Sequence, residues 1–117
     1  MKDDNVIQQK SFSFAIRIVE AYKQLKNEKQ EFVLSKQLLR SGTSIGANIE
    51  EAIGGQSKAD FISKLSIAYK EARETAYWIK LLKATEYLSS ETANSLLNDV
   101  NEICRILGKI QITMKQA

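Results

Sequence analysis

Glu71 and Glu74 stand three residues apart in a stretch of helical periodicity, a spacing that turns both carboxylates to one side of a helix. Two carboxylates so placed can hold a divalent metal or divide acid and base roles between them, and Glu50-Glu51 offers two more. Arg40 is the cation best suited to answer Glu71 and Glu74, because a guanidinium meets carboxylates through several fixed N–H donors. Cys104 is the one thiol. The chain has no histidine, which removes the usual Ser and Cys triads, His-ligated zinc and the Glu-x-x-His di-metal site of helical bundles. Arg40 competes with any metal for Glu71 and Glu74, and Cys104 falls on an apolar stripe where a thiol is inert. The residues therefore predict no enzyme, no metal, no cofactor and no small-molecule substrate.

The elements that hold these groups are long helices. The sequence has 117 residues, no proline and five glycines, with 44% apolar and 26% charged side chains, which suits a single globular domain over residues 1–117. Ile7, Ser11, Phe14, Ile18, Ala21 and Leu25 recur at steps of 3 and 4, and Phe12, Ala15, Val19 and Tyr22 widen that face. Asp3 or Asp4 is the expected cap of this first helix. A second helix is expected over about 31–54, with Leu34, Leu38, Ser41, Ile45, Asn48 and Ala52 on one stripe and closed by left-handed glycine at Gly54-Gly55. Ser57-x-x-Asp60 resembles a capping box for a third helix over about 58–87. Ser89 or Ser90 caps a fourth, with Ala93, Leu97, Val100, Cys104, Leu107 and Met114 as its inward stripe. Short connections make the helices antiparallel neighbours, so the expected fold is all-α, an up-down-up-down four-helix bundle.

Two features exceed what such a bundle needs. Phe61, Leu65, Ala68, Ala72, Thr75, Ile79 and Leu82 make the core stripe of the third helix, yet Ile67, Trp78 and Leu81 share a second face with Glu71 and Glu74. That breadth points to burial against another copy of the chain. On the second helix, Gln37, Arg40, Ser44, Ala47 and Glu51 form a line with Asn48 beside it. A hairpin folded at residues 55–56 sets Arg40 level with Glu71 and one turn from Glu74, which predicts a desolvated ion-pair network that fixes register. In the same helix Gly42-x-x-x-Gly46, with Ser41 and Ser44 around it, costs about 1 kcal/mol per glycine in propensity, offset if another helix approaches closely.

The stretch from Gln37 to Ala52, QLLRSGTSIGANIEEA, followed by Asp60-Phe-Ile, Lys64-Leu65, Ile67-Ala68 and the block Lys70–Trp78, KEARETAYW, resembles the bacterial four-helix-bundle family of 23S rRNA intervening-sequence proteins. It is similar too to the accessory proteins of diversity-generating retroelements. Many relatives have Gly where this chain has Ala52. The resemblance implies a homo-oligomer, a pentameric ring, with RNA or DNA as a partner and no agreed biochemical activity. It carries the motif positions Gln37, Arg40, Ser41, Ser44, Asn48, Glu51, Glu71, Glu74 and Trp78, which read as fold and assembly determinants.

Net charge is +3, and the excess sits in residues 1–40, where Lys23, Lys26, Lys29 and Lys36 gather around the first hairpin. These four are the expected nucleic-acid contacts, since repetition of a weak basic patch around a ring multiplies counterion release. The alternative is a protein-interaction scaffold that presents repeated helical faces to a protein partner and binds no nucleic acid. A single cysteine, no membrane-spanning apolar run and no signal-peptide core point to the cytoplasm.

Overall fold

The computed structural model describes residues 2–116, with side chains described from Val6 onward. Four helices follow in order: α1 (Lys2–Asn27), α2 (Leu34–Ile53), α3 (Lys58–Ala84) and α4 (Ser90–Gln116). Among the described residues α1 packs on α2, α2 on α3, α3 on α4 and α4 on α1, while the backbones of the diagonal pairs stay apart. This is the expected antiparallel four-helix bundle, a rod of 46 × 20 × 19 Å. No helix among the described residues is long and apolar enough to cross a membrane.

The periodicity of α1 holds in full, for Ile7, Ser11, Phe14, Ile18, Ala21 and Leu25 are all buried. The widening series does not, because Phe12 turns outward and is 67% exposed. In α3 the stripe Leu65, Ala68, Ala72, Thr75, Ile79 and Leu82 is buried, with Phe61 half-buried at its start. In α4 the inward stripe is Ala93, Leu96, Val100, Ile103, Leu107 and Ile110. Leu97, Cys104 and Met114 sit half-buried at the rim of the core, contrary to the expectation that placed them inside. Adjacent apolar pairs such as Leu96-Leu97 and Ile103-Cys104 allow either phase in the sequence, and packing on both α3 and α1 selects the first of each pair.

Helix ends depart from expectation in instructive ways. α1 is already helical at Lys2, so Asp3 and Asp4 belong to its first turn rather than to its cap, and their side chains lie outside the described residues. α2 starts at Leu34 rather than near 31 because Glu31 acts as its cap from outside. The Glu31 carboxylate accepts from the N–H groups of Ser35 at 2.7 Å and Val33 at 3.2 Å, while the Ser35 hydroxyl donates to the Glu31 carbonyl at 2.7 Å. Burial pushes Glu31 up, but these backbone and hydroxyl donors outweigh it and hold the carboxyl below its ordinary range. The carboxylate also faces the positive end of the helix dipole. Gly54 closes α2 at φ −82°, an ordinary right-handed angle, so the left-handed glycine closure is absent. The left-handed positions are instead Gln30 (φ 54°) and Glu86 (φ 67°), in the turns after α1 and α3. There the chain reverses so that the N–H of Glu31 reaches back to the carbonyl of Leu25 and that of Leu88 to Leu82. Ser57 and Ser89 cap α3 and α4 as expected, each hydroxyl accepting at 3.1 Å from the N–H three residues on.

Candidate functional site

The α2–α3 seam brings together most of the motif positions. Arg40 donates to Glu71 at 3.2 Å and to Glu74, and its Nε donates to Gln37 Oε1 at 3.3 Å. Trp78 Nε1 donates at 2.9 Å to the same Glu74 oxygen that Arg40 holds. The register deduced from the hairpin is therefore correct, and the network closes within one chain. Its surroundings differ from expectation. The side chains of Arg40, Glu71 and Glu74 are 48%, 20% and 37% exposed, so the network is not desolvated. Water screens such pairs, and they contribute alignment more than stability.

Beneath the network lies a better sealed contact. Ser41 and Thr75 are both fully buried, and their hydroxyls hydrogen-bond at 2.9 Å between α2 and α3. Thr75 Oγ1 also lies 2.7 Å from the carbonyl of Glu71, which ties the buried pair to the helix turn that carries the ion pair. Thr75 was legible as a core position, whereas its partnership with Ser41 needed the two helices in register.

The remaining positions disperse. Asn48 does not bridge helices, since its amide donates to the carbonyl of Ser44 in its own helix at 2.8 Å. Ser44 is half-buried. Glu51 pairs with Lys64 at 3.1 Å, and Glu50 accepts from Gln8 at 2.7 Å. The four carboxylates considered for metal chemistry thus face three different partners, and no three His, Cys, Asp or Glu side chains converge among the described residues. Gly42 and Gly46 face α1: a Cβ on Gly42 would lie 2.8 Å from Ile18, and one on Gly46 would lie 3.5 Å from the Ser11 hydroxyl and 3.6 Å from its carbonyl oxygen. Close helix packing requires the glycine at Gly42, whereas at Gly46 a Cβ would make only ordinary contacts.

Lys23, Lys26, Lys29 and Lys36 are all exposed, and none makes an ion pair among the described residues. Gly42 opposite Ile18 sets Lys36 level with Gln24, beside Lys23. Glu20 and Glu28 are exposed at the same end of the rod. A second group of cations went unnoticed in the sequence: Arg73 and Lys80 on α3, with Arg105 and Lys109 on α4, line the outer groove between these helices. Their spacing along each helix was visible, but only the antiparallel pairing of α3 with α4 assembles them. Cys104 forms part of the floor of that groove. Burial pushes its thiol up, against the opposing pull of Arg73 and Arg105.

Large apolar side chains remain in water on two faces. Phe12 and Ile16 project from α1 at 67% and 49% exposure, and Ile67 and Tyr77 from α3 at 39% and 57%. Of the broad second face of α3, Trp78 and Leu81 are only half-buried, so one copy of the chain leaves that face partly uncovered.

A family model for 23S rRNA-intervening sequence proteins matches residues 3–109. Among solved structures, the chain is similar to a crystal structure from Bacteroides thetaiotaomicron, that of a protein with unknown function from the S23 ribosomal protein family. The two share 59% identity and a TM-score of 0.92 over 93% of this chain and 97% of that one. No curated protein matches.

Proposed function

The chain belongs to the 23S rRNA-intervening sequence protein family, and from that premise we propose that it is a non-enzymatic, cytoplasmic homo-oligomer, a pentameric ring, that binds RNA or DNA through basic surface. The observation that carries the reading is the group Lys23, Lys26, Lys29 and Lys36: four exposed ammonium groups at one hairpin, none engaged by a carboxylate among the described residues. Phosphate attraction by one such group is weak and steeply salt-dependent, and a ring repeats it. The uncovered side chains of Phe12 and Ile16 on α1 and of Ile67 on α3 support self-association.

The test is oligonucleotide affinity at low salt for the native chain and for the variant with all four lysines changed to glutamine, beside light scattering of each. Affinity that falls in the variant while both proteins remain oligomeric supports the reading. Unchanged affinity removes the lysines from the interface, and a monomer removes the ring. Salt-insensitive capture of a protein, with no nucleic acid bound, would favour the scaffold reading, for which exposed Phe12 and Ile16 are the supporting observation.

A further inference from the structure

The charged side chains of this bundle are sorted by face. Lys10 pairs with Glu102, Arg17 with Asp99, Arg40 with Glu71 and Glu74, and Lys64 with Glu51. These pairs lie on the α1–α4 and α2–α3 seams, and they draw Glu71 and Glu74 of α3 and Asp99 and Glu102 of α4 to those two seams. The α3–α4 groove is left with cations alone. Arg73, Lys80, Arg105 and Lys109 line it with no acidic side chain among them, and none has an ion-pair partner among the described residues. The one polar contact of the four is a long one, from Arg73 to the Tyr69 hydroxyl at 3.5 Å. Four like charges within one or two Debye lengths repel one another, and their clustering in one groove with no carboxylate among them fits an anion supplied from outside.

The groove has a fixed length and a register. Gln111 donates to the Ser66 hydroxyl at 2.8 Å, and Lys83 donates to the Asn94 side-chain oxygen at 2.9 Å. Both cross-links join levels that follow one antiparallel alignment, in which Arg73 stands opposite Cys104, Lys109 opposite Ala68 and Lys80 opposite Leu97. The cations therefore extend over twelve residues of α3, roughly 18 Å. Tyr77 stands among them, 57% exposed, with its ring held at 71° to that of Trp78 at a centroid separation of 5.2 Å. An aromatic ring fixed in position within a line of cations matches a strand that offers phosphates at intervals and an unpaired base to stack.

We propose that the α3–α4 groove binds a single strand of nucleic acid, with Arg73, Lys80, Arg105 and Lys109 on its phosphates and Tyr77 stacked on a base. This rests on the reading of the chain as a nucleic-acid binder but moves the principal contact from the first hairpin to the opposite side of the rod. Phosphate and base face are common to RNA and DNA, so strands of either kind and the same sequence bind alike. A duplex hides its base faces and binds more weakly.

Fluorescence anisotropy with labelled single strands of roughly twelve nucleotides, RNA and DNA, and with their duplexes, tests the assignment. Changing the four groove cations to glutamine is expected to lower affinity at least tenfold and to flatten the log–log salt slope by about 3. Tyr77→Ala is expected to cost roughly tenfold with the salt slope unchanged, and Tyr77→Phe to bind as the native chain does. Alkylation of Cys104 on the groove floor should slow when the strand is bound, in a variant as well as in the native protein wherever binding persists. All these residues are at the surface or half-exposed, and circular dichroism verifies each variant's fold. Loss of binding in the Lys23, Lys26, Lys29 and Lys36 variant with none in the groove variant overturns the groove and leaves the proposed function standing. A native chain that binds no strand overturns both. Duplexes bound as tightly as single strands, with Tyr77→Ala neutral, overturn the stacked single strand.

Discussion

Gly42 lies so close beneath Ile18 that a Cβ added to it would come within 2.8 Å of two side-chain carbons of that residue. Ile18 is fully buried, and its β-branched side chain is stiff at χ1. Gly42→Ala should therefore destabilise by roughly 1–3 kcal/mol despite its better helix propensity, because overpacking outweighs the gain. Gly46→Ala meets Ser11 only at 3.5 Å and beyond, an ordinary contact, and should be neutral or stabilising by up to about 1 kcal/mol. Urea unfolding of both variants decides the matter, and equal midpoints would remove the distinction between the two glycines.

Glu31 ties the α1–α2 connection to the first turn of α2, and its carboxyl is held below the ordinary range by the N–H groups it caps. A folded-state pKa lower than the unfolded one means stability that is present above the unfolded value, about 4.3. That stability is lost as pH falls through the depressed folded value. Glu31→Ala is expected to cost about 1 kcal/mol near neutral pH, as other caps do. The gap should narrow steadily below pH ~4. A gap that stays constant down to pH ~2.5 would show that the charge contributes nothing.

Arg40 and Thr75 act at one level of the α2–α3 seam with opposite energetic weight. Arg40 is half in water, and Arg40→Gln should cost less than about 1 kcal/mol, with that cost shrinking as salt is added. Thr75→Val keeps the shape but leaves the buried Ser41 hydroxyl without its cross-helix partner, at a cost of about 1–2 kcal/mol. Adding Ser41→Ala to Thr75→Val should cost less than the two single changes together, since no buried donor is then stranded. Thermal or chemical denaturation of the four proteins measures the coupling, and strict additivity would refute it.

The long repeats at steps of 3 and 4 carried the fold: the α1 stripe from Ile7 to Leu25 and the α3 stripe from Leu65 to Leu82 are both buried throughout. In α4 Leu96, Ile103 and Leu107 each have an apolar neighbour next to them, and the packing partners decide between the two. Arg40 opposite Glu71 followed from hairpin arithmetic because the α2–α3 connection is short and its midpoint is marked by Gly54-Gly55. The solvation of that network could not follow, since exposure depends on how the helices splay. The α3–α4 groove was least visible, because Arg73 and Arg105 come together through a pairing of helices that no local pattern encodes.

The pairing of each helix backbone with its two neighbours alone has a kinetic consequence. Three of its four seams join helices adjacent in the chain through short turns, so they form with little loop-closure entropy. Only the α1–α4 seam waits for the whole chain to gather. A topology dominated by local contacts places folding in the microsecond-to-millisecond range, and a sequence with no proline lacks the slow isomerisation phase that proline introduces. If the α1–α4 seam closes last, Phe14→Leu, at that seam, should speed unfolding far more than it slows refolding in stopped-flow chevrons. The seam that completes the rod would then be the latch that sets its lifetime.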